Sequence, residues 1–416
     1  MGSFFLYKKA SKQNLKELCQ YQAKPFQADH ALQLFSYSYS LNKYNMLRKI
    51  LFCDNSLYEL LNFRGEVINY YANNDYQVVL VAPQTQEYIS QNPNIRYIPV
   101  RLNRSGMNPL SEWLYFKTLY KIYKKERPDY IFHYTIKPNI YGTLAAKVCH
   151  IPSTVMIAGL GYVFNRKGIG CTFARILYKF SLRFTEKVLV LNLSNKNFLQ
   201  THKIVSPSRI IHLKGGEGIN LNRYIPNALS FGNNKTTFLM IARLLYDKGY
   251  DEYTQAARFI KKQYPDTEFQ LLGKIDTAYP NHVPETQVRK DHLEGIVNYL
   301  GFSSDVIPKI QTADCIILPS YHEGMSRVLI EALAMGKPII TTDIPGCREA
   351  VDNGKNGFII PPKNSRALIA AIEKFINTAP IIRAEMGRYG RQKAEKEFNI
   401  TQVLDIYKEI TTSVRH

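Results

Sequence analysis

The stretch DCIILPSYHEGMSRVLIEALAMGKPIITT, residues 314–342, reads as strand, turn, helix and strand in that order. The apolar, β-favouring run from Cys315 to Leu318 is too short for a helix and has strand composition. A turn with Gly324 follows, and Ser326 is a good N-cap for a helix reaching Met335. Gly336 suits the left-handed position that closes such a helix, and Pro338 then opens a β-branched stretch. A strand, a helix and a second strand at this spacing describe a parallel pair with a helical crossover.

The same alternation extends in both directions. Strand-like runs fall at 49–53, 77–82, 129–134, 153–158, 187–192 and 209–213, and a second series at 236–242, 268–273, 314–319 and 337–342. Helical stretches lie between most of them, which argues for parallel sheets covered on both faces. The fold class expected is α/β, with two Rossmann-like domains whose parallel sheets face each other across a cleft. The boundaries expected are 46–228 for the first domain and 229–416 for the second, joined near PNALSFGNNK, 226–235. Residues 1–45 are polar and aromatic without a clear period, and read as an extension of no assigned role.

Within the opening stretch, Glu323 and Glu331 are separated by seven residues. The first precedes the turn and the second lies inside the helix. Amides from Met325 through Ser326 to Arg327, with the helix dipole behind them, would hold an anion, and Gly324 lets backbone approach it. Carboxylates beside a bound diphosphate would be repelled by it, so these two should accept hydrogen bonds from hydroxyls instead. A ligand with both a diphosphate and vicinal diols is a nucleotide sugar. The plain alternative is two ordinary glutamates, one in a surface turn and one on a solvated helix face.

A second motif bears on the choice. MIARLLYDKGYDEY, 240–253, follows a strand directly and sets Arg243 and Lys248 at its carboxyl end. Arg offers phosphate a planar fork of donors and Lys a mobile charge. Together they could neutralise a leaving diphosphate. Alone the Arg-x4-Lys spacing is weak; beside Glu-x7-Glu at a matching strand end it is specific.

These two motifs, continued by IPGCREAVDNGKNGFIIPP at 344–362, resemble the donor domain of glycosyltransferase family 4, retaining enzymes of the GT-B fold. The resemblance spans roughly 46–410. It implies that Glu323 contacts the donor sugar, Glu331 the ribose, and Arg243 and Lys248 the diphosphate. NRSGMNPL (103–110), YTIKPNIYGTLAAK (134–147), IAGLGYVF (157–164) and GGEGINLNRY (215–224) are similar to bacterial transferases that extend a sugar on undecaprenyl diphosphate. Arg327 stands where many relatives carry a small or amide residue.

On the first-domain side, Gly65 in NFRGEVI is expected at a helix start; the resemblance implies that it approaches the reaction centre and that Gly218 lies in the interdomain loop beside the donor phosphates, while the plain reading of Gly65 is a simple turn glycine. His133 ends the strand DYIFHY facing the expected cleft; the resemblance implies a histidine near this point that contacts the donor, with Lys137 and Asn139 as alternatives, and the plain reading is a structural strand-end histidine. Arg104, Lys137 and Asn139 form the candidate acceptor set. Neither glycine pattern is a dinucleotide fingerprint, so no cofactor of that kind is expected. No Asp-x-Asp motif or carboxylate cluster suggests a metal. Six cysteines (Cys19, Cys53, Cys149, Cys171, Cys315, Cys347) show no ligand spacing and read as reduced thiols.

A net charge of +20 could suit nucleic acid, an anionic membrane face or polyanionic substrates. No nucleic-acid signature accompanies it, and no nucleic-acid partner is expected. SEWLYFKTLYKIYKKERPD, 111–129, reads as a helix with Tyr115, Leu119 and Ile122 inward and Lys117, Lys121 and Lys124 outward, flanked by Trp113 and Tyr120. Lysines among aromatic rings fit an anionic membrane surface, or else simply a solvated face. GCTFARILYKFSLRFTEK, 170–187, has the period of a core helix. The function expected is a retaining transferase using a UDP-sugar and a polyprenyl-diphosphate-linked acceptor, cytoplasmic and peripheral on the inner membrane face. A soluble acceptor, an inert sugar-nucleotide-binding homologue and a basic nucleic-acid- or membrane-binding protein are the alternatives.

Overall fold

The structure, a computed structural model, describes residues 48–83, 90–103, 108–159, 169–227, 235–277 and 279–413. The expected N-terminal extension, Arg104 and most of the expected linker lie outside these residues. Lys49 onward forms one compact unit holding two parallel sheets.

The first sheet contains β1 (Arg48–Cys53), β2 (Tyr76–Pro83), β3 (Ile95–Val100), β4 (Tyr130–Tyr134), β5 (Ser153–Ile157), β6 (Lys187–Val190) and β7 (Ile210–His212). Their order is β3-β2-β1-β4-β5-β6-β7. Its helices are α1 (Leu57–Ala72), α2 (Pro109–Glu126), α3 (Thr143–Val148), α4 (Ile169–Ser181) and α5 (Leu193–Thr201). The second sheet contains β8 (Thr236–Ile241), β9 (Thr267–Leu272), β10 (Asn298–Tyr299), β11 (Cys315–Leu318), β12 (Ile339–Thr342) and β13 (Gly357–Ile360), in the order β10-β9-β8-β11-β12-β13. Around it lie α6 (Tyr250–Gln263), α7 (Glu285–Leu293), α8 (Ile307–Thr312), α9 (Arg327–Ala334), α10 (Ser365–Ile376) and α11 (Pro380–Glu397), and α12 (Ile400–Ser413) ends the series. The α/β class with two parallel sheets is therefore as expected.

Local chemistry explains the ends of these elements. Ser56 caps α1 by accepting from the Glu59 amide, and Asn108 caps α2 with Pro109 in its first turn. Every residue of β4, β5, β11 and β12 is buried, as a sheet covered on both faces requires. Strands β3, β10 and β13 were not anticipated, and all three lie at sheet edges. Edge strands tolerate the Arg96 and Pro99 of β3 and the leading Gly357 of β13, which blur a strand pattern.

Helix α2 buries Tyr115 and Leu119 as expected, but Tyr123 rather than Ile122 completes its inner face. The core reading of 170–187 is corrected. Tyr178 and Leu182 pack inward, yet Phe173, Ile176 and Phe180 are exposed by 65%, 63% and 45%. The helix is apolar on two faces, and only one of them is covered.

Helix α12 packs on the first sheet. Ile400, Val403, Tyr407 and Ile410 join the cluster of Phe52, Phe132 and Tyr134. The Tyr407 hydroxyl meets that of Tyr134 at 3.0 Å, and the Tyr71 hydroxyl donates to the Tyr407 carbonyl at 2.9 Å. Tyr407→Ala should lower unfolding free energy by about 3–5 kcal/mol, and Tyr407→Phe by about 1 kcal/mol. Urea unfolding followed by circular dichroism reads both. An unchanged midpoint for Tyr407→Ala would mean that α12 is not docked in solution.

Candidate active site

Each sheet is wound outward from an inner strand, so each has one place where successive crossovers diverge. In the second sheet that place lies between neighbours β8 and β11, and in the first between β1 and β4. Crevices at such points receive ligands in open parallel sheets.

At the β8/β11 point the structure brings the two sequence motifs together. Arg243 follows β8, with Nη1 3.8 Å from Asp276 Oδ2 and its guanidinium 4.5 Å above the Tyr279 ring. Its side chain is 41% exposed. Lys248 ends the turn Tyr246–Lys248, and its Nζ reaches Glu323 Oε1 at 2.7 Å. Tyr321 donates its amide to the Asp247 carbonyl at 2.8 Å, so the loops after β8 and β11 are tied directly.

Glu331 lies on α9 and is almost wholly buried. Its Oε1 accepts from the Tyr224 hydroxyl at 2.8 Å and from Arg327 Nε at 3.0 Å. Burial raises its pKa, while Arg327 and the Tyr224 hydroxyl oppose the rise. The amides at the head of α9 are not all free, because that of Ser326 donates to the Gly346 carbonyl at 2.8 Å. Ser326 is buried, and Met325 packs against clusters of both sheets. Gly324 lies against the Ala158 carbonyl beyond β5, where a Cβ would collide, and its own carbonyl accepts from Asn192 Nδ2 at 2.6 Å. The motif turn thus touches the first sheet's carboxyl edge through a residue that has to be glycine.

The opposite wall is built from α1 and the loop after β7. Arg64 on α1 reaches Glu217 Oε1 at 2.9 Å and Asp54 Oδ2 at 3.8 Å. Its guanidinium also lies 4.5 Å over the Tyr134 ring. One buried cation serves two buried carboxyls, so desolvation holds protons on the set. It pushes Asp54 up to about 6 and Glu217 up to about 7, against the pull of Arg64. Neighbouring Phe63 lies 5.9 Å from the Arg327 guanidinium, and Tyr58 meets Phe302 with ring centroids 6.4 Å apart. Gly218 has φ +70°, and a Cβ there would sit 2.8 Å from Ile400 Cα; it shapes the loop that carries Glu217.

Several expected first-domain groups lie elsewhere. Gly65 is inside α1, not at a helix start, because the helix begins at Leu57; the loop after β1 is Asp54–Asn55–Ser56. His133 does not face a cleft. Strand alternation turns it away from Phe132 and Tyr134 and under α2, where its Nε2 meets the Tyr123 hydroxyl at 3.0 Å. It is fully buried, and burial pushes its pKa down to about 3. Asn139 is also buried, bracing the Met156 carbonyl and the Tyr178 hydroxyl. Lys137 bonds Glu112 Oε1 at 2.5 Å and the Asn103 carbonyl at 2.6 Å. The sequence reading passed over Asp54, Arg64, Glu217 and Tyr224. The available signals were a charged residue directly after β1 and charges inside NFRGEVI and GGEGIN.

Comparison with known proteins fits this arrangement. Residues 223–393 match the glycosyl transferases group 1 family, and residues 49–192 match glycosyl transferase 4-like. The chain is 30% identical over 327 residues to the N,N'-diacetylbacillosaminyl-diphospho-undecaprenol alpha-1,3-N-acetylgalactosaminyltransferase of Campylobacter jejuni, covering 74% of this chain and 84% of that protein. It is 26% identical over 311 residues to the UDP-Gal:alpha-D-GlcNAc-diphosphoundecaprenol alpha-1,3-galactosyltransferase of Escherichia coli, covering 70% and 77%. Among solved structures, HepE of Anabaena in complex with UDP superposes with TM-score 0.67 at 18% identity, covering 88% of this chain and 100% of that one. A glycosyltransferase from Rickettsia africae superposes with TM-score 0.70 at 21% identity, covering 88% and 98%.

The Arg64 set has a pH signature. Glu217 ionises near its ordinary 4.5 when unfolded and near 7 when folded. A raised carboxyl pKa means the folded state keeps the proton longer, so stability falls as pH rises through that window and levels off above it. Melting temperature should therefore fall more steeply for wild type than for Glu217→Gln between pH 4.5 and 7. Parallel curves would show that folding leaves the Glu217 pKa unshifted.

Proposed function

The chain belongs to the group 1 glycosyl transferases, and from that premise we propose that it transfers a sugar from a UDP-sugar to a saccharide on a polyprenyl diphosphate, with retention of configuration. The observation that carries this reading is the meeting of Lys248 and Glu323 at 2.7 Å where β8 and β11 diverge, with Arg243 on the same loop. A cation pair for the diphosphate and a carboxylate for sugar hydroxyls then stand at one strand edge. Donor binding exchanges the Lys248–Glu323 contact for two others: phosphate oxygen to Lys248 and sugar hydroxyl to Glu323. Glu331 takes the ribose.

As the anomeric bond breaks, negative charge grows on the leaving UDP. Arg243 and Lys248 stabilise that charge, with no metal in the proposal. The acceptor hydroxyl attacks from the same face, and its proton passes to the departing phosphate oxygen. No enzymic nucleophile is needed. The acceptor class is supported by the two relatives above, whose names describe lipid-diphosphate-linked acceptors.

The same acceptor supports a place on the inner face of the cytoplasmic membrane. The described residues contain no helix long and apolar enough to cross a bilayer. Helix α2 exposes Leu110, Trp113 and Leu114 beside Lys117, Lys121 and Lys124, with Lys117 4.8 Å over the Trp113 ring. Helix α4 adds Phe173, Ile176 and Phe180. Apolar side chains among cations suit an anionic bilayer, each cation contributing about 1 kcal/mol near the surface.

UDP release should be measured across a panel of UDP-sugars with undecaprenyl-diphosphate-linked saccharides, with and without EDTA. Wild type should select one donor, and Glu323→Gln and Arg243→Ala should each lose roughly a hundredfold or more in kcat/KM. Loss of turnover in EDTA would overturn metal independence. Turnover only on a soluble glycan would overturn the lipid acceptor. For the membrane, co-sedimentation should favour vesicles containing anionic lipid over neutral ones, and Phe173→Ser with Phe180→Ser should reduce it severalfold. Equal recovery from both vesicle types would remove the surface from the proposal.

A further inference from the structure

Glu331 has two carboxylate oxygens in unequal settings. Oε1 accepts twice, from the Tyr224 hydroxyl at 2.8 Å and from Arg327 Nε at 3.0 Å. Two donors fill the lone pairs of one carboxylate oxygen. Oε2 accepts from none of the described residues, and it is not sealed in the interior as an orphaned atom. The carboxylate is therefore held by one oxygen and presented by the other.

Both partners are themselves fixed. Arg327 precedes Glu331 by one helical turn, so α9 sets their spacing. Its guanidinium also lies 5.9 Å from the Phe63 ring of α1. Tyr224 is buried, and its backbone carbonyl accepts from Arg391 Nη1 at 2.6 Å; the same nitrogen binds the Ala334 carbonyl at the end of α9. Arg391 thus staples Tyr224 to the helix that carries Glu331.

We propose that Tyr224 and Arg327 are positioning residues that lock Glu331 Oε1 and leave Oε2 to a ribose hydroxyl, making the site selective for ribonucleotide over deoxyribonucleotide donors. The inference rests on the reading of Glu331 as the ribose carboxylate. A buried charged acceptor that loses its hydroxyl partner is left partly unsatisfied, which is a strong source of discrimination. Without Tyr224 or Arg327 the carboxylate can rotate and offer either oxygen to either neighbour. It then binds both nucleotides less well and tells them apart less.

Calorimetric titration of the full chain with UDP, 2′-deoxy-UDP and 3′-deoxy-UDP tests this. Wild type should prefer UDP to at least one deoxy analogue by on the order of tenfold to a hundredfold, the range of a hydrogen bond to a charged group. Tyr224→Phe, which keeps the ring and the packing, should compress that ratio severalfold. Arg327→Met should do the same, and Arg327→Lys should recover part of it by restoring the charge. With a UDP-sugar in turnover, KM should rise and kcat change little. Melting curves establish that each variant is folded, and with two independent sites the failure of one to fold leaves the other to decide. A wild-type preference that survives unchanged in the folded variants would overturn the positioning role while leaving the ribose reading in place. Absence of any preference in wild type would instead overturn the ribose reading, and this inference with it.

Discussion

A parallel sheet wound outward from an inner strand has to part its connections at one point, and this chain does so twice. At β1/β4 and at β8/β11 neighbouring strands send their loops in opposite directions, leaving backbone ends and short turns uncovered by helices. Most charged groups of the candidate site lie in the loops at these two points, on the helices α1 and α9 that follow them, or in the loop after β7. Asp54 follows β1, Arg243 and Lys248 follow β8, and Glu323 follows β11. The glycine turn at Gly324 then has to reach Ala158 for the two crevices to share one space, and a side chain there would hold them apart.

Across that space the charges alternate in sign. Asp54, Arg64, Glu217, Arg327 and Glu331 run from the end of the first sheet to the helix of the second, each influencing the ionisation of the next. Burying so many ions is a poor route to stability, since desolvation consumes most of the Coulomb gain. Its effect is on geometry: each head group has one favourable orientation. Arg243, by contrast, remains 41% exposed. Lys248 is only 16% exposed and already paired with Glu323, so of the two cations proposed for the diphosphate Arg243 is the one that still faces solvent.

Much of this was legible because it depends on short-range pattern. Strands buried on both faces announce themselves as unbroken apolar runs; Arg243, Lys248 and Glu323 stand in the loops at their carboxyl ends, and Glu331 on the helix that follows β11. What escaped has physical reasons too. The edge strands β3, β10 and β13 carry fewer of those apolar signals. His133 was misread because a strand end does not say which face a residue takes; one step of alternation puts it under α2. Gly65 suggested a helix start, yet Ser56 supplies the real cap nine residues earlier. Arg64 and Glu217 are partners 153 positions apart, and no local pattern links them.

The placement of α2 and α4 bears on how a lipid-linked acceptor could arrive. Helix α2 leads from β3 to β4 and α4 from β5 to β6, so each begins at the carboxyl edge of the sheet, the edge that holds the crevice. Their exposed apolar residues begin in the first turns, with Leu110, Trp113 and Leu114 on α2 and Phe173 on α4, while Ile176 and Phe180 continue further along. The outward lysines of α2 lie farther from that edge, toward Lys124. An acceptor tethered in a bilayer can move only along its surface, so its sugar reaches the crevice only if the protein's membrane-facing side adjoins the crevice mouth. In the proposed membrane placement, Leu110, Trp113, Leu114 and Phe173 at that edge, with the α2 lysines behind them, would let the protein settle close to the headgroups there. In that proposed placement, the helices that flank the first sheet would then set the distance between the bilayer and the crevice.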